Sequence, residues 1–494
     1  MAGFKAILLR PPDPMGMVDI LSHTEPTNLG YLAAYSIQAG IDVDIWDYEQ
    51  NAFIAKEFLE KVREVQPAVI GMSCMTPTIM NGHIIATLIK KHFPNIFVVV
   101  GGAHSSAIPV QTLEEFPHFD LVVNQEGESS FLEVLQHLKA GDKPSKIQGT
   151  TWRDGEDIVR EESRGFIKEL DDIPFPARQL YHDRNTLAGH SSRGFSNTMK
   201  STEIFTSRGC PYKCSFCAIV ATFNRSLRFR SIENVEAEVV EVKKNYGTDH
   251  VVIADDTFGL KSGRLEALCD VFTKHKISSW NCDTRVDAVD PESLRMMHKS
   301  GCTKVAFGVE SGSPRLIALN EKKITPERVI AAVREAHEAG IKHIEANFIV
   351  GSHPDETYDD LMQTAALIRQ LPISFISVSI TVPYPGTPNF EYMKERNLIE
   401  TYDWSKYVMF GKAPRWRTVH FTSDDLLAYQ KKLNRSFYLN PKYMLRMLGS
   451  IRSFSELRYY AKSGVAFVKW LTGVDLAPDH LSKMDTSDEG FVAK

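Results

Sequence analysis

The sequence predicts two α/β units in succession followed by a helical region: a doubly wound N-terminal domain, a partial (β/α)6 barrel and a helical C-terminal segment. Two observations carry this prediction. Short Val- and Ile-rich runs alternate with segments of helical period, first over residues 1–145 and again over 201–395, as parallel strands joined by crossover helices require. The loops that follow the runs are built from small, polar or sulfur-bearing residues, and they fall at the sheet edge where such folds bind ligands.

In the first unit the predicted strands are Lys5–Leu9, Val43–Trp46, Ala68–Met72, Phe97–Val100 and Leu121–Val123. Helices are expected at Leu29–Ala39, Ile79–Phe93 and Ser130–Leu138, the first closed by Gly40 and the last near Gly141. A flavodoxin-like order would suit this series. Residues 146–200 read as a connector, with a hairpin at Asp154-Gly155 and a Ser/Gly-rich stretch at Gly189–Ser196. The second unit has six candidate strands: Glu203–Ser207, His250–Ala254, Ser279–Thr284, Lys304–Gly308, His343–Val350 and Phe375–Val382. Helices are expected near 231–246, 262–275, 290–300, 325–339 and 356–370, which makes six units rather than the eight of a full barrel. Residues 396–494 are expected to be helical, with Thr422 capping Leu426–Leu439 and a frayed, flexible tail over the last dozen residues.

Composition excludes several classes. The chain has 494 residues, a net charge of −5 and 43% hydrophobic residues, so it is neither low-complexity nor disordered. Near-balanced charge gives no general reason to expect nucleic acid. No apolar run reaches the roughly 20 residues of a membrane span, and the N-terminus lacks the pattern of a secretory signal, so a cytoplasmic location is expected.

Seven cysteines stand at 74, 210, 214, 217, 269, 282 and 302. Three of them form Cys210-x3-Cys214-x2-Cys217, directly after the first strand of the second unit. Such crowding speaks against a disulfide framework. Soft thiolates favour an iron–sulfur cluster or zinc, but a structural zinc wants four ligands, and no fourth Cys or His follows at a suitable spacing.

The motif and its place resemble the radical S-adenosylmethionine (SAM) enzymes. The resemblance implies that Cys210, Cys214 and Cys217 hold a 4Fe-4S cluster whose remaining iron chelates SAM, and that Phe216 flanks the adenine. It further implies SAM contacts at later strand ends: Asp255 and Asp256 toward the amino group, Arg285 toward the carboxylate, Glu310 and Ser311 toward ribose or methionine, and Asn347 near the adenine. Pro383-Tyr-Pro-Gly-Thr-Pro would shape a substrate mouth. A reducing partner such as flavodoxin or ferredoxin is expected.

The N-terminal unit resembles the cobalamin-binding domain of the B12-dependent branch of that family. The stretches that carry this resemblance contain Asn28, Ser73, Thr76, Gly101, Gly102, His104, Glu126 and Glu128, the residues expected to contact cobalamin. The Asp-x-His-x-x-Gly signature of a histidine ligand to cobalt is absent, and His23, His83 and His104 stand in other contexts. The branch commonly methylates carbon, and sometimes phosphorus. A C-methyltransferase is therefore expected, with ring closure of the anaerobic tetrapyrrole-cyclase type as the alternative. A methylthiotransferase would need further cysteines in the first unit, which has only Cys74.

Residues 431–470 carry Lys431, Lys432, Arg435, Lys442, Arg446, Arg452, Arg458, Lys462 and Lys469 against Glu456 alone, interleaved with aromatic residues. A basic, aromatic helix suits a membrane surface. Peripheral membrane contact and an apolar substrate such as a hopanoid are expected from it.

Overall fold

The computed structural model describes residues 3–13, 25–49, 52–181, 200–261, 263–409, 414–451, 454–472 and 484–491. His23, Arg452 and the Gly189–Ser196 stretch lie outside the described residues.

The first sheet is built on Lys5–Arg10 (β1), Asp42–Asp47 (β2), Val69–Ser73 (β3), Phe97–Gly101 (β4) and Leu121–Val123 (β5), all parallel, in the order β2-β1-β3-β4-β5. This is the flavodoxin-like order, with the crevice at the β1/β3 switch point. Burial on both faces explains the continuous apolar runs: Ile7, Leu9, Val98 and Val100 are completely enclosed. The helix Ala55–Val65, which the sequence reading passed over, supplies the crossover that a parallel β2–β3 connection requires. It buries Phe58, Leu59 and Val62 and presents a charged outer face. The hairpin at Asp154-Gly155, expected in the connector, is not part of it. It instead extends this sheet as Thr150–Asp154 (β6), antiparallel to β5, and Asp157–Arg160 (β7), antiparallel to β6. Trp152 pairs with Leu121 and is buried in the same core, so apolar burial draws the hairpin to the sheet edge.

The second sheet joins Ser201–Ile204 (β8), His250–Phe258 (β9), Ser279–Thr284 (β10), Cys302–Glu310 (β11), His343–Val350 (β12) and Phe375–Ile380 (β13). All are parallel and in simple sequence order, an open six-stranded barrel as expected. Side chains that accept from the first-turn N–H groups start its helices: Ser231, Asp290 and Thr325, and later Thr422 before Ser423–Tyr438. Each such cap is worth about 1 kcal/mol.

The connector locks the two units together through Arg178. Its buried guanidinium donates to Glu238 Oε1 (2.6 Å), Thr202 Oγ1 (3.0 Å) and the Glu203 carbonyl (2.7 Å), and lies 3.8 Å from Glu25 of the first unit. The C-terminal tail corrects a second expectation, because residues 484–491 are docked rather than frayed. Met484–Asp485 pairs with Phe53–Ile54, Asp488 accepts from Lys91 Nζ and His92 Nε2 at 2.6 Å each, and Phe491 packs on His92 and Phe93. Its partners all belong to the first unit, so the polar composition of the tail alone could not show them.

Candidate active site

The cysteine loop leaves the carboxyl end of β8 and is gripped at both ends. At its root Ser207–Arg208 forms a short antiparallel ribbon with Arg228–Phe229. Gly209 follows at φ +85°, where a Cβ would lie 1.8 Å from the Ser226 carbonyl oxygen, so only glycine fits. Asp255, buried at the end of β9, accepts from the N–H groups of Thr206 (2.6 Å) and Ser207 (3.0 Å) and from both hydroxyls (2.6 and 2.7 Å). Asp256 accepts from Gly209 N–H at 2.8 Å. At the far end Ser215 donates its N–H to the Asn320 carbonyl (3.2 Å) and its hydroxyl to Asn320 Oδ1 (2.8 Å), while Asn389 N–H donates to the Ser215 carbonyl (3.1 Å).

Between these anchors lie the three thiols. Cys210 Sγ is 3.4 Å from Thr257 Oγ1, and Cys217 N–H donates to the Cys214 carbonyl at 3.1 Å, closing a turn. Burial pushes the Cys217 thiol up to about 12 and raises that of Cys214. Lys322 and Arg285 oppose the shift at Cys214, whereas Cys210 reinforces it at both, so the thiols share one electrostatic neighbourhood. Among the described residues no three His, Cys, Asp or Glu side chains are grouped so as to hold a metal ion. The fit to an iron–sulfur cluster rests on the donor set: three soft thiols on one anchored loop. The other four cysteines are buried elsewhere, Cys74 in the first unit and Cys269, Cys282 and Cys302 in the barrel wall. A cubane bound by this loop has three thiolate ligands and one iron open to an exogenous chelator.

The structure divides the residues expected at SAM. Asp255 has both oxygens hydrogen-bonded to the loop and so acts as its anchor. Asp256 sits beside it, raised to about 6 chiefly by burial. Arg285 forks onto Asp287 (2.8 and 2.9 Å), donates to the Lys322 carbonyl (2.6 Å) and stacks 3.6 Å from the ring centre of Tyr212 in the loop. Glu310 adopts φ +67° after an irregularity between β11 and β12 and pairs with Lys322 Nζ at 2.7 Å. A non-glycine residue in the left-handed region at a strand end marks a strained, over-determined position of the kind found at functional sites. Ser311 is buried, with its hydroxyl against Thr364 Oγ1 (3.1 Å) and accepting from Ser313 N–H. Asn347 is half-buried on β12, in register with Gly308 and Ser377. Phe216 is half-buried beside Cys217.

The first-unit residues divide as well. Asn28 Nδ2 donates to Ser73 Oγ at 2.7 Å on the exposed carboxyl edge of the sheet. Below them His104 Nδ1 lies 3.3 Å from Thr76 Oγ1, and its ring meets Trp404 edge-on at 4.9 Å. Burial lowers His104 to about 3, so the imidazole stays neutral and is a core residue. Its Nε2 is buried and has no hydrogen-bond partner. Gly101 and Gly102 bring β4 against the Cys74 segment: Cys74 N–H donates to the Gly101 carbonyl, and a Cβ on Gly102 would meet the Cys74 carbonyl oxygen at 2.4 Å. Glu126 and Glu128 are ion-paired across the boundary between the units. Arg208 Nη1 reaches Glu126 (3.0 Å) and Glu128 (2.7 Å), and Arg228 reaches Glu126 (2.7 Å). Two residues expected to touch a cofactor thus clasp the root of the cysteine loop from the other unit.

This clasp sets the two ligand edges side by side. The short helix Ala103–Ala107 packs on Ile219–Phe223, which follows Cys217 directly, and Gly386 of the Pro-rich turn lies against both Ala107 and Ala221. The small-residue edge bearing Asn28, Ser73 and Gly101 fits a broad, flat ligand placed beside the loop. Lys322, Asn320, Asn389, Arg208 and Arg228 were not singled out in the sequence. They are brought to the loop by the tertiary fold: the ribbon of Arg208 and Arg228, the turn of Asn320 and Lys322, and the helix start at Asn389.

The comparisons fit this geometry. Residues 204–368 match the Radical SAM superfamily and residues 16–135 match the B12 binding domain. The site and fold therefore define a radical SAM enzyme carrying a cobalamin domain. An uncharacterized methyltransferase of Pyrococcus horikoshii is 31% identical over 448 residues, spanning 90% of this chain and 95% of the relative. The anaerobic magnesium-protoporphyrin IX monomethyl ester cyclase of Cereibacter sphaeroides is 25% identical, spanning 93% of this chain and 75% of that protein. The solved structure of the cobalamin-dependent SAM radical enzyme OxsB, with aqua-cobalamin and SAM bound, shares the fold at a TM-score of 0.71 and 17% identity, across 95% of this chain and 72% of that one. The chain belongs to the cobalamin-dependent radical SAM enzymes of the methyltransferase type. Its cofactors are a 4Fe-4S cluster, SAM and cobalamin.

Proposed function

We propose that the protein transfers a methyl group to an unactivated carbon of an apolar lipid of the hopanoid kind, with electrons from a flavodoxin- or ferredoxin-type donor. The observation that carries the reading is the clasp of Glu126 and Glu128 on Arg208, which holds the cobalamin-domain edge and the cysteine loop at one locus. In this family the cluster supplies one-electron reduction of SAM, and cobalamin carries the methyl group.

In this reading Cys210, Cys214 and Cys217 are the cluster ligands. Asp255, Asn320 and Asn389 hold the loop still, which preorganises the thiols at no cost when the cluster binds. Arg285, Lys322 and Glu310 form the charged wall beside Cys214, where the amino-acid end of SAM would lie; Asp256 and Asn347 stand at neighbouring strand ends. Asn28, Ser73, Thr76, Gly101 and Gly102 line the cobalamin edge. The lipid acceptor is supported by the cationic, aromatic helices after residue 431.

A second reading, ring closure, is favoured by the resemblance to the tetrapyrrole cyclase over most of both chains. Anaerobic incubation of the cofactor-loaded protein with methyl-labelled SAM, a reductant and a lipid extract separates the two. Label in a lipid product of higher mass supports methyl transfer. A product of unchanged carbon number with no label overturns it in favour of ring closure.

A further inference from the structure

The helices Pro441–Ser450 and Phe454–Thr472 are pinned along one side and bare along another. Tyr443 Oη donates to the Ser374 carbonyl (2.9 Å) and Arg446 to the Ile373 carbonyl, both just before β13, and Tyr460 stacks on Phe375. The outer side exposes large apolar side chains: Leu445 is 72% exposed, Leu448 62%, Phe454 81% and Val465 58%, with Leu457 and Val468 about half exposed. In the second helix these stand at 454, 457, 465 and 468, and with the exposed Ala461 between them they follow the three- and four-residue steps of one helical stripe. A contiguous apolar stripe facing water marks an interaction surface.

Charge selects the occupant. Residues 441–472 hold six Lys or Arg against the single Glu456, on a chain whose net charge is −5. A second copy of the same stripe would set like charges face to face, which disfavours self-association. No helix among the described residues is long and apolar enough to cross a membrane, so the stripe suits a surface rather than a span.

We infer that the Pro441–Thr472 helices dock the protein in the plane of an anionic lipid bilayer, the apolar stripe entering the acyl boundary and the cations meeting the headgroups. This docking stands apart from the methyl-transfer reading, because it is measured without turnover.

The test is co-sedimentation of the full chain with vesicles of phosphatidylcholine alone and of equal parts phosphatidylcholine and phosphatidylglycerol. The mixed vesicles are expected to bind about tenfold or more tightly, with the difference lost at high salt. Leu445→Asp with Leu448→Asp and Phe454→Asp should abolish binding. Arg458→Gln with Lys469→Gln should weaken it severalfold and leave iron content unchanged; this second variant keeps the test valid if the first misfolds. Equal indifference of the unaltered protein to both vesicles would overturn the inference. A concentration-dependent dimer that Leu445→Asp disrupts would overturn it too, by assigning the stripe to a second copy.

Discussion

Two pairs of carboxylates hold the root of the cysteine loop, and they do so by different physics. Asp255 and Asp256, from the same barrel, are served by backbone N–H groups and hydroxyls. Glu126 and Glu128, from the other unit, are served by the guanidiniums of Arg208 and Arg228. Inside one unit, short neutral donors fix the loop's shape, and burial raises both aspartates, outweighing the hydrogen bonds at Asp255 and the Gly209 N–H and Arg208 charge at Asp256. Between units, charge must meet charge, because a buried pair with one member missing is very costly. The first arrangement specifies local geometry, and the second specifies how the two units face each other.

That contrast ranks the consequences of breaking each. Arg208→Met strands Glu128 and leaves Glu126 with Arg228 and the Ile167 N–H. Stability should fall by about 3–5 kcal/mol, read by denaturant unfolding, with cobalamin retention falling alongside iron content. Asp255→Asn keeps an acceptor for the two N–H donors, and the hydroxyls of Thr206 and Ser207 can turn to accept from its amide. A loss of about 1–3 kcal/mol is expected, with iron content lowered and cobalamin binding preserved. If Asp255→Asn released cobalamin as readily as Arg208→Met, the distinction between local and inter-unit grip would fail.

A third acid sharpens the comparison. Glu356 is buried after β12, accepts from the Gly351 N–H and is raised to about 8, mainly by burial. Its folded value lies above the ordinary 4.5, so the folded state binds the proton more tightly. Glu356 therefore costs nothing at low pH, and its stability contribution is lost as pH rises from about 4.5 to about 8. Glu356→Gln keeps the acceptor without the charge. It should be near neutral at about pH 5 and more stable than the parent by roughly 1–2 kcal/mol at about pH 9, compared by urea unfolding at both values. Equal effects at the two values would show that burial does not hold this proton.

The sequence made legible what is written locally. Strand runs enclosed on both faces, helices with side-chain caps and three cysteines within eight residues all declare themselves to a reader of neighbours. Acidic residues at strand ends were also visible, but their partners were not. Asp255, Glu126, Glu128 and Ser311 look alike as polar groups near an edge, yet each is satisfied by a residue 49 to 82 positions away. Asn320, Asn389 and Lys322 escaped for the same reason, since nothing in their own neighbourhoods marks them. The docked tail depends on Lys91 and His92, far along the chain, so its composition could not reveal it.

The account turns on an incompletely ligated cluster at this loop. Mössbauer spectroscopy of protein reconstituted with iron-57, recorded with and without SAM, tests it most directly. A cubane whose single unique iron shifts on SAM addition, and which Cys214→Ala abolishes, is the predicted result. A spectrum that ignores SAM, or a full iron complement retained in Cys214→Ala, would contradict it.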